Sequence, residues 1–167
     1  VTTLRKAGFT VNHAAVWQTT EITNVVNAYK PDLVIVEAPW VNLAEFLQIV
    51  ADNPTVHFTV RCHSNINFLQ VEPDAITLLR EIQLYSESIS NLSVSTNSES
   101  LRDFLVTSYG GEAVYLPNLY RYARPNLAVR PTFVKGTTLR IASWGATRLQ
   151  KNHTVAAAAA LMTAKEL

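Results

Sequence analysis

Four short apolar runs, Leu33–Val36, Val56–Val60, Leu92–Ser95 and Ala113–Leu116, are separated by stretches whose apolar residues recur at helical spacing. No other feature constrains the fold as strongly. Strand, helix and strand in alternation, joined by short connections, is what a parallel sheet with crossover helices requires. Thr20–Tyr29 sets Ile22, Val25, Val26 and Tyr29 on one helical face, and Asn42–Ala51 does the same with Leu43, Phe46, Leu47 and Val50. Pro73 precedes a longer amphipathic helix over about Asp74–Ser88. Ser98 can cap another through about Val106, which Gly110-Gly111 stops. Upstream, Val1–Ala7 reads as the tail of a helix closed by Gly8, and Phe9–Val16 alternates loosely, as a strand does. Leu33–Val36 is uninterrupted, the pattern of a strand buried on both faces. The fold class expected is α/β: an open, mostly parallel, Rossmann-like sheet with helices on both faces.

The end of the chain repeats the pattern once. Leu139–Ser143 is an apolar run suited to a buried strand, and Trp144–Asn152 is a loop carrying Gly145, Arg148 and Lys151. From His153 an alanine-rich run has high helix propensity, with Asn152 or Thr154 able to cap it. Unpaired N–H groups at such a helix start, next to a basic loop, suit an anion. The Ala156–Ala160 tract reads most simply as a helix packed closely on a sheet.

Composition excludes several classes. A formal net charge of +1 gives no electrostatic case for nucleic acid or an anionic membrane. Arg121, Arg124 and Arg130, interleaved with Tyr120 and Tyr122, have the look of a single-strand-binding stripe, but the near-neutral total favours a linker with solvated cations. No apolar run approaches the roughly 18 residues of a membrane helix. A single cysteine, Cys62, rules out an internal disulfide and suits a reducing compartment, so a cytoplasmic location is expected. His57 and His63 are too far apart along a strand to share an ion, so no metal site is expected. Asn91-Leu92-Ser93 and Asn152-His153-Thr154 match the glycosylation triplet, as chance alone would produce.

Several segments, taken in order, resemble the N-terminal half of a two-domain GT-B glycosyltransferase of the retaining, nucleotide-sugar-using kind. LRKAGFTV is similar to that family's first-helix exit and second strand, KPDLVIVEAPW to its third strand, and VHFTVRCHSN to the next, whose loop often carries a histidine. LSVSTNSESLRDFL resembles its "vSxxs…l" strand and helix, VYLPNLY its "xPNgv" close of the first domain, and LRIASWGATRLQKNH the "vGRLxxxKN" opening of the second. The chain begins near the end of the family's first helix, without its first strand and glycine-rich loop. Ala146 stands where the family has a phosphate-binding Arg. The family's later acidic donor motif would lie beyond Leu167. The resemblance implies an acceptor-side domain over 1–118, a linker over 119–138 and a strand–loop–helix unit over 139–167. It implies sugar transfer from a nucleotide-sugar donor to a glycan or other acceptor, with no separate cofactor. A chain lacking the family's first strand and acidic motif is expected to be an incomplete, inactive fragment.

The candidate residues follow. His63, after a strand, can hydrogen-bond the transferred sugar or the acceptor; Glu37, ending the most apolar strand, can serve as acceptor-side base or orienting group, or equally cap Trp40 and its loop. Both are expected at the same edge of the sheet. Gly145, Arg148 and Lys151 would hold the donor diphosphate. Asn118, after Pro117, reads as a turn residue. Two other classes remain open: a non-catalytic sugar- or nucleotide-binding domain, and a receiver-like signalling module, for which Glu37 stands where the phospho-acceptor Asp would be. In the order 3-2-1-4-5-6 the missing first strand would leave a central gap between Phe9–Val16 and Val56–Val60. Leu139–Ser143 is expected to fill it, from the same chain or by strand exchange in a homodimer.

Overall fold

The structure, a computed structural model, describes residues 1–119 and 153–166. The chain divides into two compact units, Val1–Arg121 and Tyr122–Leu167. The first holds α1 (Thr2–Lys6), α2 (Glu21–Tyr29), β1 (Leu33–Glu37), α3 (Leu43–Asp52), β2 (His57–Cys62), α4 (Ile66–Leu69), α5 (Pro73–Ser86), β3 (Leu92–Thr96), α6 (Glu99–Tyr109) and β4 (Val114–Tyr115). The described strands form one four-stranded sheet in the order β1-β2-β3-β4, every pair parallel. The α/β fold with a Rossmann-like open sheet is therefore as the alternation requires.

Register sorts the strand residues onto two faces. Val34 and Val36, Phe58, Val60 and Cys62, and Leu92, Val94 and Thr96 share one. This face belongs to one core with Phe46, Ile49 and Val50 of α3, Leu78, Leu79 and Ile82 of α5, and Leu101 and Leu105 of α6. Phe46 meets Phe58 edge-on at 5.9 Å between ring centres, adding a specific aromatic contact to the area buried. The helix starts are fixed as their residues dictate. Asn42 Oδ1 accepts from the Glu45 N–H at 3.1 Å and Ser98 Oγ from the Leu101 N–H at 3.4 Å, each satisfying an orphan donor. Lys30 ends α2 in the left-handed region, as Gly8 does after α1.

The opposite face is mixed. His57 Nε2 and Ser93 Oγ lie 2.9 Å apart, and Thr59 Oγ1 donates to Ser95 Oγ at 2.9 Å. On β1 the same face carries Leu33 and Ile35, which are 50% and 36% exposed. The expectation that Leu33–Val36 is buried on both faces is thus corrected: β1 is an edge strand of the described sheet, and only its Val36 is buried. An uninterrupted apolar run cannot by itself distinguish a central strand from an edge one.

Phe9–Val16 is not a strand. Strand formation needs a sheet edge whose N–H and C=O groups it can pair, and only Val16 of this run packs against the core; Phe9 is exposed. The expected central gap is also absent, because β1 pairs directly with β2 from Leu33↔His57 to Glu37↔Arg61. A filling role for Leu139–Ser143 in such a gap falls with it; that run itself lies outside the described residues, as does the linker. In the second unit α7 (His153–Glu166) forms where the alanine-rich run predicts a helix. Its residues Thr154–Ala159 and Leu161–Lys165 are exposed. No helix of the described residues is long and apolar enough to cross a membrane.

Asn91 ties the amino ends of the sheet together. Its Nδ2 donates toward three carbonyls, Val50 at 3.3 Å, Asn53 at 3.2 Å and Val56 at 3.0 Å. The amide nitrogen that glycosylation would modify is spent on the fold. Asn91→Ala leaves these half-buried carbonyls short of a donor and should cost about 1–3 kcal/mol, read from the midpoint of a urea unfolding curve with an unchanged slope.

Candidate functional site

The carboxyl ends of β1 and β2 carry opposite charges in register, Glu37 opposite Arg61. Arg61 is only 7% exposed although it lies near the end of its strand. Its fork explains how a charge sits there. Nη1 donates to Glu37 Oε1 at 3.1 Å and Oε2 at 2.9 Å, Nη2 to Asn118 Oδ1 at 2.6 Å, and Nε to the Leu116 carbonyl at 2.9 Å. The planar guanidinium therefore joins β1 to the segment that follows β4. Leu116 is also held by its own N–H, which donates to the Thr96 carbonyl at 2.7 Å.

His63 follows β2, half exposed, with Nδ1 3.7 Å from Glu37 Oε2. That is beyond a hydrogen bond but close enough for a protonated ring to feel the carboxylate. Asn97 fixes the backbone of this loop: its N–H donates to the Cys62 carbonyl at 3.1 Å and its Nδ2 to the His63 carbonyl at 3.3 Å. The shared edge expected of His63 and Glu37 is thus observed, at the strand ends where open α/β sheets receive ligands. Arg61 is not among the candidates the sequence singles out, since beyond the apolar run Val56–Val60 the residues Arg61–Asn67 read as a polar loop. Arg61 and Cys62 instead complete β2, and Ile66–Leu69 forms a short helix. The missed signal was the pair of apolar strands ending in opposite charges. Asn118 does more than hold a turn, since its side chain accepts from Arg61.

On β1's side the chain turns sharply after Glu37. Ala38 has φ of 75°, a left-handed conformation uncommon for a residue with a Cβ, and its N–H donates to the Arg61 carbonyl at 2.9 Å. The Trp40 N–H returns to the Ala38 carbonyl at 3.2 Å around Pro39, and the Trp40 indole Nε1 donates to the Glu37 carbonyl at 3.2 Å. Val41 is buried, and the Asn42 N–H donates to Thr19 Oγ1 at 2.8 Å. The capping of Trp40 weighed for Glu37 is therefore made by its backbone carbonyl, leaving the carboxylate to Arg61.

Chemically, the cluster offers a carboxylate with an imidazole 3.7 Å away, backed by a buried guanidinium, and an indole bound to the backbone carbonyl of the same Glu37. Among the described residues, no group of three His, Cys, Asp or Glu could hold a metal ion. Gly145, Arg148 and Lys151, and the cations Arg121, Arg124 and Arg130, lie outside the described residues. Comparison with protein-family models, with curated proteins and with solved structures gives no match.

Two outcomes follow from this geometry. Arg61→Ala removes the link between β1, β2 and the Leu116–Asn118 segment. It should cost about 2–4 kcal/mol in chemical denaturation, less than a fully buried pair because Glu37 stays solvated. Arg61→Lys should recover little, since an ammonium cannot reproduce the fork. Burial also pushes the neighbouring Cys62 thiol up, against smaller opposing effects of Ser64 hydrogen bonds and the Arg61 charge. A thiol that holds its proton longer when folded stabilises fully below the unfolded thiol's range, near ~8.5, and loses that contribution as pH rises toward the folded value. Stability should therefore fall more steeply above about pH 8.5 in the unmodified protein than in Cys62→Ala.

Proposed function

We propose that this chain is the acceptor-side part of a glycosyltransferase that takes a sugar from a nucleotide-sugar donor. One observation carries the reading: Glu37, Arg61 and His63 gather at the carboxyl edge of adjacent parallel strands, in segments whose order resembles the GT-B first domain. His63 would face the transferred sugar or the acceptor hydroxyl, within reach to exchange a proton. Glu37, already bound to Arg61, acts by orienting His63 and accepting from sugar hydroxyls rather than as the sole base. Gly145, Arg148 and Lys151 would neutralise the leaving diphosphate, and catalysis would rest on positioning and charge stabilisation. The lone buried cysteine agrees with a reducing, cytoplasmic setting. A homodimer by strand exchange would use the outer edge of β1, which has no strand neighbour among the described residues.

Calorimetric titration with uridine, adenosine and guanosine diphosphate sugars, and with simple glycans, tests the reading. Binding of at least one donor is expected. His63→Ala should weaken glycan binding about tenfold, or about 1.4 kcal/mol, without lowering stability. Failure of every nucleotide sugar to bind would reject a transferase.

A further inference from the structure

We infer that Trp40, Glu37 and His63 form a subsite for one pyranose ring of the acceptor, with the Trp40 indole as its stacking platform. The inference rests on the transferase reading but concerns a different contact, one that needs no donor.

Trp40 is 40% exposed while the next residue, Val41, is buried, so the loop is anchored without hiding the indole. Three features restrain that indole. Its Nε1 donates to the Glu37 carbonyl, its own N–H closes the tight turn around Pro39, and Ala38 accepts a left-handed backbone at the turn after β1. A non-glycine residue held at positive φ is costly and persists where its surroundings over-determine it, often at binding sites. With the indole N–H committed to the backbone, what Trp40 can offer a ligand is its π-face. An aromatic face next to water suits a flat, partly apolar partner, and the C–H face of a pyranose is one.

The polar neighbours select the same chemistry. A carboxylate has about four acceptor positions, and Arg61 Nη1 occupies two of those on Glu37. The remainder can receive two hydroxyl donors, the pattern of a vicinal diol. His63, with its side chain 52% exposed and 3.7 Å from that carboxylate, can add a third hydrogen bond to a hydroxyl. Donors and acceptors of this kind beside a ring face match a neutral polyhydroxylated ligand better than a phosphate, because the net charge of the Glu37–Arg61 pair is zero. Arg61 keeps the acceptors stationary, so little ordering remains to be done on binding.

The experiment is an NMR titration of the full chain with methyl glycosides of glucose, galactose and mannose and with their disaccharides. The sequence has three tryptophans, and the Trp40 indole resonance is the one missing from Trp40→Phe. A glycoside should shift that resonance, and Trp40→Ala should weaken its binding about tenfold, the scale of one aromatic stacking contact. Trp40→Phe, which keeps a ring face, should bind within a few-fold of the unmodified chain, and it guards against a folding defect in the alanine variant. Nucleosides serve as the competing flat ligand. The subsite is overturned if no glycoside shifts Trp40, if nucleosides shift it and glycosides do not, or if folded Trp40→Ala binds glycosides unchanged. Nucleotide-sugar binding with a silent Trp40 would sink this subsite alone. Glycosides engaging Trp40 without any donor binding would uphold it while removing the transferase.

Discussion

One buried guanidinium holds the candidate site in shape. Arg61 spends its fork on a carboxylate from β1, a carbonyl from the segment after β4 and a side-chain amide two residues further on. Those groups lie 24, 55 and 57 residues from it in sequence. A charge at 7% exposure is tolerable only when its donors are matched, so strand ends, exit segment and guanidinium must assemble together. An apolar residue there would leave the Leu116 and Asn118 acceptors competing for water at the edge of the sheet.

This arrangement explains why the edge is polar without being loose. Backbone contacts to β2 and its loop come from both sides: Ala38 donates to the Arg61 carbonyl, and Asn97 holds Cys62 and His63. The helix starts after β1 and β3 are capped by Asn42 and Ser98, so the loops that carry Trp40 and Asn97 end on rigid elements. His63 is then the exposed, chemically versatile group in an otherwise restrained neighbourhood. The division is between a fixed frame and two groups open to solvent, the His63 imidazole and the Trp40 indole.

The same sheet shows where reading residues in order stops being sufficient. Helices over Glu21–Tyr29, Leu43–Asp52, Pro73–Ser86 and Glu99–Tyr109 follow from spacing and caps, since both are local and act within one turn. Strand neighbours are a different matter. Phe9–Val16 alternates as a strand would, yet only its Val16 packs against the core and the run pairs with no strand, and Leu33–Val36 looks central but stands at an edge. Strand pairing is satisfied between segments distant in sequence, so neither run carries the information that decides it.

The sequence by itself determined the α/β class, the parallel sheet, the helix faces and the meeting of Glu37 and His63. Those follow because parallel strands joined by helices present all their carboxyl ends on one side. Only the tertiary structure decided the sequential order β1-β2-β3-β4, the partnership of Glu37 with Arg61, and the use of Asn91 and Asn118 as ties between distant segments. Each depends on which groups remain unpaired once the core has closed. Hydrogen-bond satisfaction is a property of the assembled fold, because a donor finds its acceptor across space and not along the chain.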